Sequence, residues 1–227
     1  MGSGPPLRLP LVPLPGWLQP QAAAQPAPPP VAHHGPQLVS RTMQLTGETA
    51  GAGHIQRISG ERASDGTVWV QVNGVLGPPL DRKAASTPNY NRTLPTGREI
   101  GLPGYEIAHV WGPGFGDEAR DGLMYASQEV NQALQNHGIE SRLRELESLA
   151  RGQGVTIEVS ARATSFDREV GHGHDVLKEA SYHFEARMPD GSSEVIGEVD
   201  ITAPHPGGGG HATVEVTGGS SGIWSLK

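Results

Sequence analysis

The residue types that could carry chemistry in this chain gather around one histidine. His109 stands in the segment Ala108-His109-Val110-Trp111-Gly112-Pro113-Gly114-Phe115-Gly116-Asp117-Glu118, and Asn131, Gln132 and Glu140 follow it. An imidazole changes charge near neutral pH, so it can take or give a proton there. Phosphodiester hydrolysis would use such a base together with a divalent cation that stabilises the departing oxygen. A hard cation, Mg²⁺ or Mn²⁺, keeps several waters and takes few protein oxygens, so one amide oxygen and one carboxylate suffice. Each residue also has a plainer reading. His109 beside a tryptophan is either a packed, hydrogen-bonded core residue or a base. Asp117 and Glu118 either cap the loop or bind a cation, Asn131 and Gln132 are ordinary helix residues or ligands, and Glu140 either stabilises the first turn of a helix or supports the site.

Several elements must position these groups. Glu106 to Trp111 reads as a strand, and the glycines from Gly112 to Gly116 force an irregular loop after it. Leu123 to Tyr125 is a second short strand. Ser127 then caps a helix with Glu129 in its first turn, and Gly138 is a left-handed stop for it. Ile139, Leu143, Leu146 and Ala150 recur at helical spacing and predict a second helix that ends at Gly152 and Gly154. Val155, Ile157, Val159 and Ala161 alternate with polar residues, as do Tyr182, Phe184, Ala186 and Met188, and each set predicts a half-buried strand. Pro189-Asp190-Gly191-Ser192 is a turn, followed by a strand containing Val195, Ile196, Val199 and Ile201. The class is therefore α+β, an antiparallel sheet with two helices inserted after a strand-loop-strand unit.

Upstream, Val68, Val70 and Val72 alternate with Trp69, Gln71 and Asn73, and Gln56 to Ile58 is a short partner for them. Residues 41–95 read as a small β-rich connector, 96–218 as the working domain and 219–227 as a tail. Residues 1–40 are proline- and alanine-rich and lack an apolar period, which predicts a disordered leader. Pro5, Pro6, Pro10, Pro13 and Pro15 break any signal-peptide core, and no stretch reaches the roughly 18 apolar residues of a membrane span. Export would therefore use another machine.

Composition narrows the function classes. The chain of 227 residues has 32 Gly, 20 Pro and 35% apolar residues, enough for one modest core. It has no cysteine, which excludes disulfides, thiolate metal sites and cysteine nucleophiles. A net charge of -7 argues against broad attraction to polyphosphate, so any nucleic-acid site must be a local basic patch. Gly171-His172-Gly173-His174-Asp175 has a spacing that could hold a transition metal, but falls in a predicted hairpin loop. His205 and His211 flank Gly207 to Gly210, which either wraps a ligand or is a mobile tail.

The segment His109 to Glu118, then Gly122-Leu123-Met124-Tyr125-Ala126, Glu129-Val130-Asn131-Gln132 and Glu140-Ser141, resembles the type 4 polymorphic toxin domain at the C-termini of bacterial secreted effectors. The resemblance covers about half of the chain, from near Gly101 to near Thr217. More loosely, the same order is similar to His-Me finger nucleases of the DNA/RNA non-specific type. That similarity implies His109 as general base, Asn131 as a metal-side ligand and Glu140 as a supporting carboxylate, with Mg or Mn as cofactor and nucleic acid as substrate. The toxin resemblance implies a cognate immunity protein, a partner in a secretion apparatus and delivery into a target cell. Those nucleases place an arginine just before the histidine, whereas Ile107 and Ala108 stand here, with Arg98 and Arg120 as possible substitutes. That departure motivates the rival expectation, a non-nucleolytic toxin that binds a target-cell factor. Convergence of Arg142, Arg144, Arg162 and Arg187 on His109 would favour the nuclease, and an acidic rim the rival.

Overall fold

The computed structural model describes residues 54–80 and 94–218; the leader expected over 1–40 and the tail expected over 219–227 lie outside the described residues. Strands β1 (His54–Arg62) and β2 (Val68–Val75) form a hairpin, and β3 (Tyr105–His109) and β4 (Leu123–Ser127) a second one. A continuous helical run follows, π-wound over Glu129–Glu140 and then α-wound as α1 (Ser141–Gly152). Strands β5 (Thr156–Ser165), β6 (Leu177–Arg187), β7 (Ser193–Thr202) and β8 (Thr213–Gly218) complete the chain. The main sheet has the order β1-β2-β5-β6-β7-β8 and is antiparallel throughout.

Strict alternation decides which face of this sheet is covered. On β2 the buried residues are Val68, Val70 and Val72, on β5 Ile157, Val159, Ala161 and Ala163, and on β6 Ala180, Tyr182, Phe184 and Ala186. Leu143, Leu146 and Ala150 of α1 and the rings of Trp111 and Phe115 join them in one core. Removing a leucine of this kind from water is worth about 1.5–3 kcal/mol, so α1 is held by its apolar stripe. The polar residues between, among them Gln71, Ser160, Arg162, Ser181 and Asp200, line shallow grooves on the other face.

Three departures from the sequence reading have local causes. The β1–β2 hairpin, expected to be a connector ahead of the domain, pairs through β2 with β5 and puts its valines into the common core. The two predicted helices are one run, and Gly138 does not stop the first. It is buried inside the run, where a Cβ would lie 3.3 Å from the Ala133 carbonyl oxygen, so the residue answers to close packing rather than to a left-handed turn. The last strand, β8, lies inside the expected 96–218 domain in a stretch read as no element, with Val214 and Val216 packed against the core. The Asp190-Gly191 turn agrees with its prediction, since Gly191 has φ 87 between β6 and β7.

Candidate functional site

His109 closes β3 opposite Leu123, and the chain then doubles back through a single 3₁₀ turn, Pro113–Phe115. Pro113 pre-sets the first turn position, and Gly116, at φ 89, ends it in the left-handed region while its N–H donates to the Pro113 carbonyl. Segment 76–80 laces this loop down: Gly77 N–H donates to Phe115 O at 3.0 Å and Leu80 N–H to Pro113 O at 3.0 Å. A side chain at Gly116 would strike the Gly77 backbone. The Trp111 and Phe115 rings meet edge to face at 5.3 Å, and Phe115 meets Tyr182 likewise at 6.1 Å, which ties the loop to β6.

The result of this fold-back is a contact between His109 and Glu118. His109 Nε2 lies 2.7 Å from Glu118 Oε1. The His109 side chain keeps 10% of its surface open and Glu118 1%, so the pair is largely shut off from water. A carboxylate oxygen accepts, which makes Nε2 the donor in this bond. The Glu118 N–H in turn donates to Asp117 Oδ1 at 2.8 Å, fixing the loop at its acidic end.

Glu140, at the end of the π-wound segment, presses its carboxylate onto the same loop from the helix side. A Cβ added at Gly112 would overlap Glu140 Oε1 and one at Gly114 would overlap Oε2, and the Gly112 position is also 3.6 Å from His109 Cβ. Gly112 and Gly114 therefore admit the carboxylate, which sits beside His109. Beneath it, Tyr182 accepts a hydrogen bond from Gln135 Nε2 at 2.8 Å. Burial first, with the Glu140 charge adding to it, pushes the Tyr182 hydroxyl well above its ordinary value, against a lowering by the Gln135 bond.

Asn131 is placed differently. Its Nδ2 donates to Glu106 Oε2 at 2.9 Å, and Gln132 Nε2 donates to the same oxygen at 2.6 Å. Alternation along β3 sends Glu106 and His109 to opposite faces. The structure thus gathers His109, Glu118 and Glu140 around the glycine loop, with Asp117 bracing it, and holds Asn131 on Glu106. Among the described residues no group of three His, Asp or Glu forms a metal site.

Two of the arginines, Arg162 and Arg187, are engaged elsewhere. Arg162 lies over the Trp69 ring at 4.9 Å, Arg187 pairs with Glu158 at 2.9 Å, Arg142 pairs with Glu145 at 2.8 Å and Arg144 is exposed. Arg120 is exposed two residues beyond Glu118. The histidine-rich hairpin loop is an anchor: Asp175 takes a two-pronged bond from Arg62, both arms 2.8 Å, and His174 meets the Tyr125 ring edge to face. His211 reaches Glu129 at 3.2 Å and His205 packs on Phe166. Sequence reasoning missed Glu106, Gln135 and Tyr182; the signal for Glu118 as the partner of His109 was the glycine-proline loop between them, which can only fold back.

No helix among the described residues is long and apolar enough to cross a membrane. No curated protein and no solved structure matches the chain. The family model for bacterial toxin 4 matches residues 102–203, which run from just before β3 to the end of β7 and contain His109, Glu118, Asn131 and Glu140. The chain thus carries, over residues 102–203, a polymorphic toxin domain of the bacterial toxin 4 family.

Proposed function

We propose that this bacterial toxin is a nuclease that breaks phosphodiester bonds with His109 as general base. The observation that carries the reading is the 2.7 Å contact between His109 and Glu118 inside the family-matched segment. Glu118 orients the ring, the role a carboxylate plays behind a catalytic histidine. The Glu140 carboxylate holds the loop that joins the two. Arg120 supplies the nearby positive charge for a phosphate. The toxin is delivered into a target cell through a secretion apparatus, and a cognate immunity protein protects its producer.

A second reading, a non-nucleolytic toxin that acts by binding a target-cell factor, is favoured by one observation. Arg162 and Arg187 are turned to the outer face of the sheet while Asp117, Glu118 and Glu140 surround the loop. Expression of wild type and His109→Ala in bacteria separates the two. The nuclease reading expects degraded nucleic acid and growth arrest with the wild type and neither with the variant; arrest that survives His109→Ala, with nucleic acid intact, supports the second.

A further inference from the structure

We propose that the outer face of the main sheet carries a second binding site, independent of the His109 loop, for a free α-amino acid whose carboxylate meets Arg162 and whose ammonium meets Asp200. Side chains alternate along a strand, so Tyr182 of β6 enters the core beside Phe115 while Ser181 faces the other way. The pairing register sets Gln71, Arg162, Ser181, Asp200 and Glu215 in one row across β2, β5, β6, β7 and β8. Ser181 is the shortest side chain of that row. The surface therefore dips between Arg162 and Asp200, whose backbones stand two strand spacings, about 9.5 Å, apart. Two grooves of about 190 and 260 Å³ meet there, and Arg162, Ser181 and Asp200 line both. Each is smaller than the roughly 300–1,000 Å³ of a pocket for a drug-sized ligand, so the occupant is small.

The two banks of this dip carry opposite charges that do not meet. Arg162 lies over the Trp69 ring at 4.9 Å and has no hydrogen bond or ion pair among the described residues. A stacked guanidinium keeps its N–H donors in its own plane, in the fork that suits a carboxylate. Asp200 likewise has no hydrogen bond or ion pair among the described residues, and burial, then the charges of Glu198 and Glu215, hold its carboxyl above the ordinary range. An ammonium brought to Asp200 offsets those charges. The same neighbours disfavour other occupants. A phosphate at Arg162 would face the carboxylates of Glu179, Glu198 and Asp200 around the grooves, and a divalent cation would face the guanidinium. A molecule that holds both charges a few bonds apart suits both banks, and a free α-amino acid is the simplest of that kind.

The test follows the amide resonances of the isotope-labelled full chain as alanine, N-acetylalanine or alaninamide is added. The expected result with alanine is a saturable shift centred on Ser181 and Asp200, with Gly112 and Gly114 of the His109 loop unmoved. Removing the ammonium in N-acetylalanine, or the carboxylate in alaninamide, should weaken binding about tenfold to a hundredfold, the usual scale for a hydrogen bond to a charged group. Arg162→Gln and Asp200→Asn should each weaken alanine binding by a similar factor, with thermal melts on the same samples showing that the variants are folded. Absence of a saturable shift at millimolar alanine overturns the proposal. Equal binding of alanine and its two blocked forms by the wild type overturns it as well, and that comparison stands even if a variant fails to fold.

Discussion

Two glycines and a glutamate set the geometry at the His109 loop. Because Glu140 fills the space that side chains at Gly112 and Gly114 would need, Gly114→Ala should destabilise the protein by about 1–3 kcal/mol, the usual scale for overpacking. In a Glu140→Ala background the same substitution should cost much less, and thermal melts of the four proteins measure that coupling. Equal costs in both backgrounds would mean that the carboxylate is not what excludes the methyl group. Glu106→Ala should leave the Asn131 and Gln132 amides short of their acceptor, at roughly 1–3 kcal/mol if no water replaces it. His109 and Glu118 were each singled out in the sequence, but their contact was not, since Glu118 read there as a cap for the loop or a cation ligand. Nor was the partner of Asn131, since Glu106 lies on another strand and only packing of the helix against β3 brings the two together.

Elements followed their periodicities wherever one face meets the core. β2, β5 and β6 alternate as read, and α1 buries the predicted Leu143, Leu146 and Ala150. The boundary at Gly138 misled because glycine serves both as a helix stop and as a small residue in a crowded turn, and only the neighbouring backbone decides between them. β8 was missed because its two valines are flanked by exposed Thr213, Glu215 and Thr217 on an edge strand after a glycine run. That edge sets a pH dependence. Asp200 on β7 stands opposite Glu215 of β8. Its carboxyl is held above the ordinary range, mainly by burial and then by the charges of Glu198 and Glu215. The folded chain therefore binds that proton more tightly than the unfolded chain, so the contribution to stability is full below the ordinary carboxylate range and is lost as pH rises through the folded value. Asp200→Asn should raise the melting temperature at pH 7 and leave it nearly unchanged near pH 3. A drop at pH 7 would show that the Asp200 charge is compensated.

At the scale of the molecule, the six-stranded sheet joins more chain than the matched toxin segment. Val68, Val70 and Val72 lie in the same core as Phe184 and Leu143, and segment 76–80 holds the His109 loop. A fragment spanning 54–218 should melt cooperatively near the temperature of the full chain, whereas 96–218 alone should lose its folded near-ultraviolet signal. A stable 96–218 fragment would mean that the β1–β2 hairpin is an accessory. This integration was hidden because β2 and β5 are far apart in sequence, and periodicity reveals a strand's faces but not its neighbour. The central claim concerns His109 at the edge of that core, and its most direct measurement is paired: cleavage of nucleic acid by wild type and His109→Ala, with thermal melts on the same samples. A catalytic histidine predicts about 10²–10⁴-fold less cleavage by the variant with its melting temperature held; a variant that melts early and cleaves normally per folded molecule would contradict the account.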